Sequence, residues 1–140
     1  MSEIKTVLAF DFGLKRIGVA IGQSLTKSAR PLPLLSAQDG APKWDQVKQL
    51  IDQWQPQLLV VGLPVHMDGS EQGLTRFAKR FGNRLNGRFH LPVEWVDERL
   101  SSYEAELMLD ELNISSQPGD KIGIDSVSAM LILAQYFNQV

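Results

Sequence analysis

Only three residues, Gly13-Leu14-Lys15, separate two apolar segments, Val7 to Phe12 and Arg16 to Gly22. A link that short admits nothing but a hairpin turn, so the chain opens with two antiparallel strands. A third segment, Arg30 to Leu35, contains Pro31 and Pro33, which lack ladder donors and confine it to a sheet edge. Gln57 to Leu63 (QLLVVGL) is a continuous apolar run ending at Pro64, as expected of a central strand covered on both faces. Against this pattern Asp11 stands out. Val7, Leu8, Ala9, Phe10 and Phe12 surround it, and an ionised carboxylate in such company costs several kcal/mol unless something offsets it. Asp11 therefore belongs at a strand end facing solvent, or beside a positive charge.

Between and after the strands the apolar period changes to that of helices. Lys43 to Trp54 carries Trp44, Val47, Leu50, Ile51 and Trp54 on one stripe, which makes both tryptophans core residues. A second helix is expected from Ser70, a suitable cap, to about Leu85, with the stripe Leu74, Phe77, Ala78, Phe81 and Leu85. Pro92 to Asp97 reads as a fifth strand and Ser102 to Leu112 as a third helix. The loop Ser115 to Asp120 leads to a last helix, Ile124 to Phe137, apolar at Ile124, Val127, Leu131, Ala134 and Phe137. The order β-β-β-α-β-α-β-α-α predicts an α/β fold, a mixed five-stranded sheet with helices on both faces. It is the order of the ribonuclease H-like fold, whose strands lie 3-2-1-4-5. With no repeat, low-complexity tract or linker, residues 1–140 read as a single domain.

A net charge of −2 gives no overall attraction to nucleic acid, so any such partner must meet a local basic patch. The absence of cysteine excludes disulfides and thiolate metal sites. No secretory signal is visible at MSEIKT, and no apolar run approaches the ~20 residues that span a bilayer. The expectation is a cytoplasmic protein with no membrane partner.

Sites in open α/β sheets gather at the carboxyl ends of central strands. Asp11 ends strand one, Asp97 and Glu98 end strand five, and Asp125 opens the last helix. Each has a plain structural reading: a turn cap for Asp11, a surface ion-pair cluster for Asp97-Glu98-Arg99, a helix-dipole partner for Asp125. Their joint placement is what suggests chemistry. Convergent carboxylates repel unless cations bind, and hard oxygen ligands without thiols point to Mg²⁺ or Mn²⁺. The reaction suggested is two-metal phosphodiester hydrolysis, with ions roughly 4 Å apart.

The stretches DFGLKRIGVA (11 to 20), VVGLPVHMDGS (60 to 70), DERLSS (97 to 102) and IDSVSAMLIL (124 to 133) together resemble the YqgF family, also called RuvX. The likeness covers essentially the whole chain. It implies a fold similar to Holliday junction resolvases of the RuvC type, and a nuclease that processes the 5′ end of pre-16S rRNA or resolves branched DNA. It also implies that Asp11, Glu98 and Asp125 are the catalytic, metal-holding carboxylates. One departure from the resolvase pattern stands out: strand four ends in VVGLP, without the glutamate that resolvases carry there. Glu98 then has to substitute from strand five, ~10 Å from Asp11 at two strand spacings. Adjacent strand residues face opposite sides, so Asp97 is read as supporting.

Basic residues supply the polymer contacts. Arg76, Arg80, Arg84 and Arg88 recur every four positions on the second helix, a row suited to successive phosphates or, for Arg84 and Arg88, to covering the core edge. Arg16 and Arg99 are placed to hold the scissile phosphate, Lys121 to touch another, and the turn at Asp68-Gly69-Ser70 to offer N–H groups. His66 and His90 are isolated, with a proton-transfer role open for His66. Two other functions compete: an actin-like ATPase half, whose phosphate hairpin DFG resembles, and a catalytically silent ribosome-assembly factor. The first lacks the length for two lobes around ATP; the missing strand-four acid favours the second. The partner expected is structured precursor rRNA or branched DNA, bound by a monomer or weak homodimer.

Overall fold

The computed structural model describes residues 5–64, 73–98 and 124–139. β1 (Thr6–Asp11) and β2 (Arg16–Gln23) form the expected hairpin, with Asp11 opposite Gly18. β3 (Ser28–Gln38) continues the antiparallel meander, and β4 (Ala41–Pro42) folds back on its end. After α1 (Trp44–Trp54), β5 (Leu58–Pro64) enters parallel to β1 on its other side. α2 (Gly73–Phe89) leads to β6 (Val93–Glu98), parallel to β5, and α3 (Ile124–Gln139) completes the described elements.

The strands lie in the order β4-β3-β2-β1-β5-β6. Without β4 this is the 3-2-1-4-5 order expected from the sequence. The sixth strand corrects the expected count of five, and its cause is local. Asp39 and Gly40 both have positive φ, 52° and 84°, the signature of a two-residue type I′ hairpin. The Pro31–Pro33 stretch does sit at an edge: β2 pairs with it on one side, and among the described residues only β4, at Ala37 and Gln38, lies on the other.

Helices cover both faces. Leu8, Phe10, Leu59 and Val61 point to one side, where they pack with Val47 of α1 and with Ala78, Phe81 and Leu85 of α2. Val7, Ala9, Val60 and Val96 point to the other, against Val127, Met130, Leu133 and Phe137 of α3. Strand alternation thus gives β1 and β5 two buried faces, which is why β5 reads as an unbroken apolar run. α3 is buried over a wider arc than its expected stripe. Ala129 and Ile132 are also fully enclosed, while Leu131 is only half-buried. Trp44 and Trp54 pack against the α1–α2 core as expected. Phe77, expected on the α2 stripe, is instead 42% exposed, because the buried line runs through Thr75, Ala78, Phe81, Gly82 and Leu85.

Gly82 is one of the positions where the packing depends on a missing side chain. A Cβ there would lie 2.1 Å from the Trp95 ring of β6. Gly→Ala in a helix ordinarily gains about 1 kcal/mol. Here the half-buried indole reverses the sign, and Gly82→Ala is expected to lower stability by about 1–3 kcal/mol in urea unfolding. Among the described residues, no helix is long and apolar enough to cross a membrane.

Candidate active site at the carboxyl end of the central strand

β1 is the strand at which the sheet changes from antiparallel to parallel neighbours, and Asp11 is its last residue. Its side chain is half-buried, on the α3 side by alternation with Val7 and Ala9. Its pairing partner is Gly18 on β2. A Cβ on Gly18 would fall 1.9 Å from the Asp125 carbonyl oxygen, so the first turn of α3 rests directly on bare β2 backbone. A glycine inside a strand marks such an approach.

A second contact locks the same turn. The register of β2 against β3 shifts between Ile17 and Val19, and at this irregularity the Val19 N–H donates to Ser126 Oγ over 3.2 Å. Ser126 is fully buried, and the bond satisfies a polar atom that would otherwise be costly there. Asp11 and Asp125, 114 positions apart in the chain, are therefore carried to either side of Gly18.

Asp125 has a cationic partner. Arg16 Nε lies 3.1 Å from Asp125 Oδ2, with the two side chains 63% and 30% exposed. Arg16 opens β2, so the hairpin that presents Asp11 also presents the guanidinium that steadies Asp125. An exposed pair contributes little to stability. Arg16→Ala is expected to change the unfolding free energy by less than about 1 kcal/mol, measured in urea at low salt.

Asp97 and Glu98 end β6. In register, Asp11 aligns with Gly62 and Gly62 with Val96, while Glu98 aligns with Pro64. Position 98 is thus two strands across from Asp11 and two residues further along, a gap wider than the lateral spacing alone. In the alternation, 97 follows Trp95 of the α1–α2 core.

The arginine row of α2 divides. Arg76, Arg80 and Arg84 are exposed, and among the described residues none has an ion-pair or hydrogen-bond partner. Arg88 is held structurally, its guanidinium 4.4 Å from the centroid of the Trp44 ring. His90 caps α2: its φ is 58° and its N–H donates to the Asn86 carbonyl over 2.9 Å. Arg99, Lys121, Ser70 with its Asp68-Gly69 turn, His66, and the expected third helix and following loop lie outside the described residues. Gly18 and Ser126 were not among the expected site residues. Their signals were a glycine inside an apolar strand and a hydroxyl beside the helix-opening acid.

The model of the RuvX family, described as Holliday junction resolvase, matches residues 5–139. The chain belongs to the RuvX family. A relative from Nitrosococcus oceani is 55% identical over 139 residues, covering 99% of this chain and 90% of the relative. One from Escherichia coli O157:H7 is 52% identical over 134 residues, covering 96% of each. Both carry names that make them candidate pre-16S rRNA nucleases. Among solved structures, Thermus thermophilus RuvC bound to a Holliday junction is similar with a TM-score of 0.55. It shares 13% identity, over 96% of this chain and 94% of that one. Fowlpox virus resolvase bound to junction DNA gives 0.58 and 13%, over 96% and 97%. At such identity these neighbours speak to fold alone. The RuvX chain shares the RuvC-like, ribonuclease H-like architecture.

Proposed function

We propose that this RuvX chain is an endonuclease that hydrolyses phosphodiester bonds at the carboxyl end of β1, acting in 5′-end processing of pre-16S rRNA. The observation that carries the reading is the meeting of Asp11 and Asp125 across Gly18, two acids from opposite ends of the chain. The names of relatives above 50% identity over nearly the full chain support the substrate.

The donor set suits a hard divalent cation, Mg²⁺ or Mn²⁺, because it is built of carboxylates in a chain without thiols. Among the described residues no group of three or more acid or histidine side chains is close enough to hold a metal. Asp11 and Asp125 are the acids the fold brings to Gly18 and would hold the ion, and Glu98 would have to reach it from the end of β6. Such an ion, when bound, activates water and stabilises the leaving oxygen. Arg16 steadies Asp125 and stands ready for the scissile phosphate, with Arg99, Lys121 and Ser70 as further phosphate contacts. Arg76 and Arg80 meet the polymer backbone in a sequence-independent, salt-sensitive way.

A second reading, resolution of branched DNA, draws support from the family description and from neighbours solved with junction DNA. A third, a silent assembly factor, draws on strand four ending in VVGLP without an acid. Purified protein incubated with pre-16S rRNA and with a four-way junction, each with Mg²⁺ or with EDTA, separates the three. The expected result is metal-dependent cutting of the rRNA to 5′-phosphate and 3′-hydroxyl ends, by a protein monomeric in solution. Junction cutting by a dimer would favour the second reading; binding without cutting of either substrate, the third.

A further inference from the structure

Beside the candidate active site, on the opposite face of the sheet, lies an aromatic groove that the proposed chemistry does not use. Its floor is Phe12, Trp44 and Phe81, with ring centroids 5.5 Å apart for Phe12–Phe81 and 6.0 Å for Trp44–Phe81. Phe77, Arg80 and Arg84 of α2 form one wall and the Asp39-Gly40 turn the other. Phe12 follows Asp11 directly, so the groove begins one residue from the candidate catalytic acid.

Three observations single it out. Leu14, Leu25 and Phe77 are the exposed large apolar side chains among the described residues. Two of them border this groove. Phe77 is in its wall at 42% exposure; Leu14, at 40%, has Cδ2 3.4 Å from where a Gly40 Cβ would stand. Secondly, Arg80 and Arg84 line it with no partner among the described residues, although Asp39 lies in the same groove. Thirdly, at helical spacing Phe77 precedes Arg80 by three positions and Arg84 by seven, so ring and guanidiniums share one flank of α2.

We propose that the rim of this groove holds an unpaired nucleotide of single-stranded RNA, its base stacked on the exposed face of Phe77 and its flanking phosphates on Arg80 and Arg84. The inference rests on the nuclease reading and adds a substrate class to it. A lone exposed phenylalanine needs no explanation, but one set among free arginines matches what an unpaired strand offers: apolar base faces at intervals along a chain of charge. Duplex RNA keeps its bases stacked away from Phe77. Asp39 repels phosphate from the groove itself, and the cavity, about 40 Å³, is smaller than a base, so the base stacks across its rim.

The test measures binding, without catalysis, by fluorescence anisotropy in Ca²⁺ buffer. The ligands are a labelled 12-nucleotide RNA and a blunt duplex of the same sequence. Phe77→Ala and Phe77→Leu are expected to weaken single-strand binding about tenfold and duplex binding less than twofold. Phe77→Trp should retain wild-type binding. Arg80→Ala and Arg84→Ala should weaken both ligands and each lower the salt slope by about one. Because Phe77 is exposed, thermal unfolding of its variants should match wild type, and Phe77→Leu keeps the side-chain bulk without the ring. If Phe77→Leu binds the single strand as wild type does, or both ligands weaken equally, the stacking site is wrong and the nuclease reading stands. If the wild-type chain binds neither RNA nor a four-way DNA junction, the nuclease reading fails with it.

Discussion

Gly18→Ala is expected to destabilise the protein by about 3 kcal/mol or more, a larger effect than Gly82→Ala in α2. In a strand the replacement ordinarily helps, since alanine has less freedom to lose on folding. At Gly18 the new methyl would sit 1.9 Å from the Asp125 oxygen, 2.2 Å from its carbonyl carbon and 2.7 Å from the Ser126 nitrogen. All three are backbone atoms, so no side chain can swing away. β2 cannot retreat, because it is paired to β1 and β3 on both sides. The remaining option is for α3 to lift. That would strain the bond from the Val19 N–H to Ser126 Oγ and open the packing of Val127, Met130 and Leu133 on the sheet. Roughly 10 °C should be lost from Tm by calorimetry. An unchanged Tm would mean that α3 does not rest on β2.

Asp11→Asn is expected to have the opposite profile. The amide keeps shape and hydrogen-bonding capacity but removes the charge that would hold a cation. Loss of a stabilisation worth several kcal/mol in the transition state lowers the cleavage rate about a thousandfold or more. Stability should barely move, since one of two neighbouring acids is neutralised. Single-turnover cleavage of pre-16S rRNA beside thermal unfolding reads both quantities. EDTA should bring wild type down to the level of the variant and leave the variant where it is. Equal cleavage by the two proteins would sink the carboxylate mechanism.

What the sequence disclosed divides along the range of the interactions. The opening hairpin, β5 and α1 were legible because each depends on neighbours in the chain: a three-residue link, an apolar run, a stripe at helical spacing. β4 is equally local, since Asp39-Gly40 is a strong hairpin dipeptide, but its two residues lie outside the apolar runs that mark the other strands. Phe77 misled for a different reason. It lies at the margin of a helical stripe, where period alone does not tell a buried ring from an exposed one, and the buried arc is set by β5 and β6. In the site, Asp11 and Asp125 announced themselves by element ends. Their meeting at Gly18 did not, because it joins residues more than a hundred positions apart. The place of Arg16 after the turn suggests a phosphate ligand, and its pairing with Asp125 has the same non-local origin.

The prolines of β3 bear on how the molecule meets others of its kind. An outer strand with regular free donors is a template on which a second chain can add, and sheets left open in this way are prone to polymerise. Pro31 and Pro33 offer no N–H, and the shifted register between Ile17 and Val19 breaks the regular repeat of the strand at the same place. The side of the sheet far from the candidate site is therefore sealed against growth by main-chain pairing. Self-association through this edge must use side-chain surfaces instead, while among the described residues β6 forms the opposite edge with β5 as its one neighbour.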